Sequence, residues 1–227
     1  MARTRRYFFK RPPRRTGLGS ALLIGAALLL VFAAGARGQL IQASPDAAPA
    51  PAAAAPPAET ACLREIRAAE RRNRLPGHLL LAIGLTESGR EVAGRLTVWP
   101  WTVNAGGQGR YFPDRDSAVA HVRSLRARGV RSIDVGCMQV NLHWHPDAFP
   151  DLATAFDPAA NVSYAADLLR RHHGSLKNWS RSVRHYHSLN RHKGADYLDR
   201  VAANLRLALA RRHDLADMPA RQSQAGR

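Results

Sequence analysis

The sequence has 227 residues, enough for one domain with appended segments. Its 34 Lys and Arg residues against 17 Asp and Glu residues give a net charge of +17, which indicates an anionic partner such as nucleic acid, anionic lipid or an acidic wall polymer. The charges are mostly arginines spread along predicted helices without interleaved aromatic residues, and this argues against a nucleic-acid-binding protein.

The N-terminal segment has the pattern of an export signal. Residues 1–17 contain seven Lys or Arg residues and no acidic residue, so they are predicted to stay in the cytoplasm. Residues 18–36 carry no charge and are long enough to cross most of a bilayer core. This segment is either an uncleaved membrane anchor or a signal peptide cut after Ala36. Both interpretations predict a periplasmic protein, either secreted or tethered to the inner membrane.

Composition divides the exported part into three. Residues 37–60 are rich in Ala and Pro, cannot bury a hydrophobic core, and are predicted to form a disordered, extended tether. Residues 61–212 carry helical patterns and are predicted to be the folded domain. Residues 213–227 show no such pattern and are predicted to be a flexible tail.

Apolar residues recur at helical spacing in six segments of the folded domain. The first four predicted helices are Cys62–Arg74, Leu79–Gly89, Asp116 or Ser117 to Arg128, and Pro158–Gly174, which is capped by Asp157. The fifth is marked by Trp179, Val183 and Tyr186, and the sixth carries Tyr197, Leu198 and Val201 and ends near Arg212. In the first helix, Cys62, Ile66 and Ala69 are predicted to face inward. Residues 95–113 surround a Gly-rich turn and predict a β-hairpin or a folded loop, whose aromatic residues either stack on sugar rings or pack in the core. Residues 132–141 predict a short strand, a turn at Gly136 and the start of another helix.

The second of these helices places an acidic side chain on its apolar face. Leu80, Ile83 and Glu87 share that face at a period of 3.6, and Gly89 is predicted to end the helix in the left-handed conformation. A carboxyl group at the end of an apolar stripe is partly desolvated, which raises its pKa and suits it to act as a general acid. The alternative is that Glu87 turns to solvent at a frayed helix end.

Four motifs in chain order resemble those of the lysozyme-like lytic transglycosylases. They are Glu87-Ser88, Asp134-x-Gly136-x-Met138-Gln139-Val140-Asn141, Asn161-x-x-Tyr164-Ala165-Ala166-x-Leu168-Leu169 followed by Trp179, and Tyr186-His187-Ser188. The resemblance covers residues 61–205 and is greatest to the small single-domain enzymes that accompany secretion, conjugation and pilus machines. The chain departs from the family pattern at Cys137, His187 and Leu189, where the family has Leu, Asn and Gly.

The resemblance implies a fold and an activity. The fold would be mainly α (α+β) and lysozyme-like, a helical bundle around a substrate groove with a small β-hairpin. The activity would be cleavage of the β-1,4 bond between N-acetylmuramic acid and N-acetylglucosamine in peptidoglycan, with formation of a 1,6-anhydro ring and with Glu87 as general acid and then base. This chemistry needs no metal and no cofactor.

The resemblance also implies partners and binding residues. Gln139 and Asn141 are expected to line the groove, Tyr186 to bond Glu87 or the substrate, and Ser88 to bind substrate or cap the helix end. The expected partners are peptidoglycan glycan strands, an envelope-spanning secretion or pilus machine, and the inner membrane through residues 18–36 if these are not cleaved. Nucleic acid is not expected.

Asp134 leaves a second mechanism open. The motif Asp-x-Gly-x-x-Gln-x-Asn also resembles animal-type lysozymes, in which the Asp at this place is the second catalytic carboxylate, so a hydrolytic muramidase using Glu87 and Asp134 is an alternative. The other interpretation, which we favour, is that Asp134 caps a backbone amide at a turn or strand edge. A non-catalytic peptidoglycan-binding scaffold is the alternative outside the enzymes, and the presence of Glu87, Gln139, Asn141 and Tyr186 argues against it.

The two cysteines and the ten histidines complete the candidate residues. Export would place Cys62 and Cys137 in an oxidising compartment, which predicts a disulfide between the first helix and the Gly136 turn. Two buried free thiols are the alternative. The histidines show no set of ligands at metal-binding spacing, so no metal site is predicted.

Overall fold

The computed structural model describes residues 57–212 and Leu215, and in this part of the chain it is a mixed α+β structure. The described helices are α1 (Ala58–Arg72), α2 (Leu79–Ser88), α3 (Arg115–Ala127), α4 (Leu152–Ala155), α5 (Pro158–Leu176), α6 (Trp179–His187) and α7 (Arg191–Ala210). The described strands are β1 (Gly89–Val92), β2 (Arg95–Val98), β3 (Thr102–Ala105), β4 (Gln108–Tyr111), β5 (Ile133–Val135) and β6 (Val140–Asn141). The predicted mixture of helices with a small antiparallel sheet is confirmed.

The predicted N-terminal segments, residues 1–17 and 18–36, lie outside the described residues, as does the predicted tether up to residue 56. The end of the tether prediction is wrong, because α1 already begins at Ala58. Of the predicted tail, residues 213–227, only Leu215 is described. It is buried, forms a parallel bridge with Leu96, and accepts a hydrogen bond from the Arg95 guanidinium on its carbonyl. A domain boundary at residue 212 therefore leaves out a core residue.

The strands form two antiparallel sheets. β1 and β2 make a two-stranded hairpin, and β4, β3, β5 and β6 follow one another in a four-stranded sheet. The predicted hairpin around the Gly-rich turn is β3–β4, in which Gly106 and Gly107 both have positive φ, as a two-residue turn of this kind requires. The β1–β2 hairpin was not predicted. Residues 140 and 141, predicted to start a helix, form strand β6 paired with β5 instead.

Helix α2 lies at the centre of the larger core. The inward residues predicted for α1 (Cys62, Ile66 and Ala69) are all buried, and they belong to the same core as α2, α5, α6 and α7. The prediction of a single buried face on α2 is wrong, because Leu81, Ala82 and Leu85 are buried as well as Leu80 and Ile83. A helix that is apolar on every side is expected inside a core. Glu87 therefore lies in the last turn of a buried helix.

Side-chain caps set several helix starts. Asp157 accepts a hydrogen bond from the Ala160 amide and Pro158 follows it, so the predicted cap of α5 is confirmed. The predicted start of α3 at Asp116 or Ser117 is wrong, since Asp114 is the cap and accepts from the Ser117 amide. The Glu70 carboxylate of α1 accepts a hydrogen bond from the Leu81 amide in the first turn of α2, which fixes α2 against α1.

A smaller core lies under the four-stranded sheet. It joins α3, β3 and β5 through Val119, Val122, Val103 and Ile133, together with the short helix α4. Asp134 lies on β5 between two residues of this core, Ile133 and Val135. The sheet therefore positions Asp134, whereas the larger core positions Glu87.

Candidate active site

Glu87 lies in the last turn of α2, immediately before the chain turns into β1. The prediction that Gly89 adopts the left-handed conformation is wrong, because its φ is −64° and its ψ is 136°. Glycine is needed there for a different reason. A Cβ atom on residue 89 would lie 2.2 Å from the Leu85 carbonyl oxygen, so only glycine allows this tight exit from the helix.

The carboxyl group of Glu87 is suited to hold a proton near neutral pH. The pKa of Glu87 is raised to about 7, mainly by burial and also by the negative charge of Asp134, while a hydrogen bond from Tyr197 and the charge of Arg200 oppose this rise. Glu87 is partly buried and does not turn out to solvent at a frayed end. This group has the proton affinity that a general acid needs at neutral pH.

Tyr197 of α7 is the tyrosine that contacts Glu87. Its hydroxyl donates a hydrogen bond to Glu87 Oε1 at 2.6 Å. Tyr186 was predicted to form a hydrogen bond with Glu87 or with the substrate. The predicted bond to Glu87 is wrong, because the Tyr186 hydroxyl donates to the Met138 carbonyl oxygen at 2.9 Å. Sequence reasoning assigned Tyr197 to the apolar stripe of the last helix. The missed signal is that the hydroxyl of a buried tyrosine needs a hydrogen-bond partner.

Replacing Tyr197 by Phe is expected to raise the pKa of Glu87 by about one unit. The hydroxyl stabilises the ionised carboxylate, so its loss favours the protonated form. The measurement is an NMR titration of the Glu87 carboxyl carbon in both proteins. Tyr186→Phe is the matched control, because it removes a hydroxyl that bonds Met138 instead. An unchanged titration midpoint in Tyr197→Phe would contradict the prediction.

Asp134 and Asn141 form a second polar pair on neighbouring strands. The two residues are paired across β5 and β6, and Asn141 Nδ2 donates a hydrogen bond to Asp134 Oδ1 at 2.7 Å. Burial raises the pKa of Asp134, and the bond from Asn141 opposes this rise. The favoured interpretation of Asp134, a cap on a backbone amide, is wrong, because the hydrogen bond that it accepts comes from a side-chain amide.

Asn141 also orders the chain that follows β6. Its Oδ1 accepts hydrogen bonds from the amides of His143 and Trp144, at 3.0 and 3.1 Å. The Trp144 side chain is 72% exposed, and its ring contacts that of His143 at a tilted angle of 58°. Asn141 was predicted to line a groove and bind substrate. In the structure, its amide group holds Asp134 on one side and the Trp144 turn on the other.

The loop of residues 136–139 joins β5 to β6 beside Glu87 and is fixed from several directions. The Cys62–Cys137 disulfide ties it to α1, which confirms the predicted pairing. The buried Asn161 of α5 accepts from the Met138 amide and donates to the carbonyl oxygens of Val135 and Ala155. Gly136 has φ 82°, and a Cβ atom there would lie 2.3 Å from Asn161 Nδ2. The Asn161 motif is therefore a structural support for this loop.

Gln139 was predicted to bind substrate, and Ser88 either to bind substrate or to cap the helix end. The Ser88 hydroxyl is buried and donates to the Cys137 carbonyl oxygen at 2.7 Å, so Ser88 holds the loop and is not available for substrate. Gln139 has φ 47°, and its side-chain amide donates to the carbonyl oxygens of Thr102 and Gly136. Its side-chain Nε2 atom is thereby occupied, and the Oε1 atom remains as the group of Gln139 that can accept from a ligand.

The aromatic residues of the hairpin region contact one another and the protein. The Trp99 and Trp101 rings meet edge to face at 5.7 Å, and Trp101 and Phe112 pack on the smaller core. For Trp101 and Phe112, core packing is therefore the correct interpretation. Tyr111 stays 45% exposed and donates its hydroxyl hydrogen bond to the Gly89 carbonyl oxygen.

A cavity of about 590 Å³ lies between the start of α1, the Trp101 turn and the starts of α3 and α5. None of the predicted site residues lines it, and two of its carboxylates, Asp114 and Asp157, already cap helices.

Across residues 57–212 and Leu215, no group of three or more His, Cys, Asp or Glu side chains is placed to hold a metal ion. In the same residues, no helix is both long and apolar enough to cross a membrane.

The site thus brings Glu87, Tyr197 and Asp134 together, with Tyr186, Asn141 and Asn161 holding the surrounding loops. Comparison of the chain with protein-family models, with curated proteins and with solved structures found no match in any of the three.

Proposed function

We propose that the protein is a peptidoglycan lytic transglycosylase with a lysozyme-like fold. The observation that carries this proposal is the state of Glu87, a partly buried carboxyl group with a pKa of about 7 at the end of a buried helix. The order of the sequence motifs, with Glu87-Ser88 before the Asp134–Asn141 motif, supports the same assignment. The net charge of +17 suits an anionic wall polymer.

In the proposed reaction, Glu87 first acts as an acid. Breaking a glycosidic bond requires a proton on the leaving oxygen while positive charge develops at the anomeric carbon. Glu87 donates this proton to the oxygen between N-acetylmuramic acid and N-acetylglucosamine, and it becomes a carboxylate. Tyr197 stabilises that carboxylate through its hydrogen bond to Oε1.

In the second step, Glu87 acts as a base. It takes the proton from the 6-hydroxyl of the muramic acid, whose oxygen attacks the anomeric carbon and closes the 1,6-anhydro ring. The proton gained by Glu87 restores the starting state, so no water is consumed. The products are lighter by one water than those of hydrolysis.

A hydrolytic muramidase is the second candidate, and Asp134 is the observation that favours it. The charge of Asp134 is close enough to raise the pKa of Glu87, and Asn141 holds the Asp134 side chain in place. A second carboxylate across the bond from the acid is what a retaining hydrolase uses as nucleophile or as electrostatic support. The two candidates therefore differ in whether Asp134 takes part in the chemistry.

The test is mass analysis of the muropeptides released from purified peptidoglycan by the folded, oxidised protein. Anhydro products support the transglycosylase, and reducing ends of full mass support the muramidase. Retained binding of peptidoglycan without any cleavage would instead indicate a scaffold. The role at an envelope-spanning machine and the periplasmic location remain part of the proposal, and both rest on the sequence.

Replacing Asp134 by Asn is expected to leave anhydro products and to lower the rate at pH 7 by only a few-fold. The negative charge of Asp134 raises the pKa of Glu87, so its removal lowers that pKa and reduces the fraction of Glu87 that holds a proton at pH 7. The alkaline limb of the pH–rate profile should accordingly move to lower pH. A loss of about 100-fold or more at every pH would contradict this and assign Asp134 to the reaction.

A further inference from the structure

An arginine is held between two aromatic rings just after Glu87. The central guanidinium carbon of Arg90 lies 4.8 Å from the ring centroid of Trp99 and 4.8 Å from that of Tyr111. Both contacts are attractive, because the face of an aromatic ring carries partial negative charge. The rings restrict the side chain before any ligand arrives, which reduces the entropy lost when the guanidinium binds one.

Both aromatic residues are hydrogen-bonded to the backbone where α2 ends and β1 begins. The Trp99 amide donates to the Ser88 carbonyl oxygen at 3.0 Å, and the Tyr111 hydroxyl donates to the Gly89 carbonyl oxygen at 3.0 Å. Arg90 follows Glu87 by three residues, so their Cα atoms are at most about 11 Å apart. The stack therefore sits at a fixed place near the acid, within reach of a substituent on a sugar bound there.

The charge of Arg90 has no counterpart among the described residues. The ion pairs in residues 57–212 involve other arginines, and the neighbouring Glu91 pairs with Arg211. The arginine whose charge lowers the pKa of Glu87 is Arg200. A planar guanidinium with its N–H groups unpaired is best matched by a carboxylate, which accepts two parallel hydrogen bonds.

We propose that Arg90, braced by Trp99 and Tyr111, binds a carboxylate carried by the peptide substituent of the sugar strand. The muramic acid units of peptidoglycan carry such a peptide through their lactyl group, whereas neutral β-1,4-glycans carry no carboxylate. The inference rests on the proposed function and adds a substrate preference to it. Because Arg90 covers one face of Trp99 and of Tyr111, these faces serve the arginine and do not stack on sugar rings.

The experiment measures binding of soluble peptidoglycan fragments in two forms, one with free carboxylates and one with the carboxylates converted to amides. Glu87→Gln is used as the parent protein so that no fragment is cleaved. The change Arg90→Gln in that parent is expected to weaken binding of the carboxylate form about tenfold and to leave binding of the amidated form unchanged. Arg110→Gln is the matched control. Arg110 is an exposed arginine on β4, and its charge acts on His121.

Three outcomes overturn the proposal: a parent protein that binds the two forms equally, one that binds neither, and an Arg90→Gln change that weakens both forms alike. The last would mean that Arg90 only braces the hairpin. If Arg90→Gln does not fold, Arg90→Lys decides, because it keeps the charge without the planar fork and should weaken only the carboxylate form. Cleavage by the wild-type protein is scored separately. Selective binding of the carboxylate form without cleavage rejects the proposed function and keeps the Arg90 site. Cleavage without selective binding keeps the proposed function and rejects the Arg90 site.

Discussion

Replacing Glu87 by Gln is expected to reduce cleavage of peptidoglycan strands by about 1,000-fold or more. The amide neither delivers a proton to the leaving oxygen nor takes one from the attacking hydroxyl, and each proton transfer by a positioned side chain contributes about 10²- to 10⁴-fold. The measurement is the rate of muropeptide release at pH 6 to 7. Glu91→Gln is the matched control, because Glu91 is an exposed carboxylate on the adjoining strand that pairs with Arg211.

The same change separates lost chemistry from lost folding. The folded state holds the Glu87 proton more tightly than the unfolded chain, because the pKa is raised to about 7. Glu87 therefore lowers the free energy of unfolding progressively as the pH rises from the ordinary carboxyl range to about 7, and the loss is constant above that pH. Glu87→Gln removes it, so the variant should be at least as stable as the wild type at pH 8. An inactive variant with a lower melting temperature would contradict this account, as would a variant that keeps its activity.

Breaking the Cys62–Cys137 bond is expected to lower the free energy of unfolding by about 4 kcal/mol, on the chain-entropy account of disulfides. The bond closes an interval of 75 residues that contains α2, the first five strands and α3. The change to test is the double substitution Cys62→Ala and Cys137→Ala, compared with the wild type by guanidinium denaturation. The variant is expected to reach its unfolding midpoint at a lower guanidinium concentration than the wild type.

A reducing agent provides the control for this experiment. It should lower the midpoint of the wild-type protein to near that of the double variant, and it should leave the variant unchanged. A midpoint that is the same with and without the bond would contradict the prediction. We also expect lower glycan-cleaving activity in the variant, because Cys137 lies in the loop that carries Gln139 and contacts Tyr186 through Met138.

Local chemistry made parts of the fold predictable. Asp157-Pro158 marks the start of α5 because an aspartate cap and a proline in the first turn both act within a few residues. The β3–β4 hairpin was predictable because two adjacent glycines allow a turn with positive φ at both positions. The β1–β2 hairpin turns at Ala93 and Gly94, also with positive φ, and alanine gives no signal for that conformation.

Other features depend on contacts between distant segments. The run of apolar residues in α2 does not distinguish a helix with one buried face from a helix buried on every side, so periodicity alone gave the wrong answer. Glu87 was identified from its place on the helix, but its partner Tyr197 lies 110 residues further along the chain. The roles of Ser88 and Asn141 differ from the predicted substrate-binding roles, because both side chains form hydrogen bonds with segments that only the folded chain brings near them.

The buried position of Leu215 has a practical consequence for anyone who prepares the domain alone. Its side chain fills part of the larger core, and its carbonyl oxygen receives the guanidinium of Arg95 on the strand next to β1. A fragment cut at Arg212 would expose Leu96 and leave Arg95 without this acceptor. β1 begins two residues after Glu87, so a fragment trimmed at Arg212 is expected to give a false negative in an activity assay. An expression boundary beyond Leu215 avoids that error.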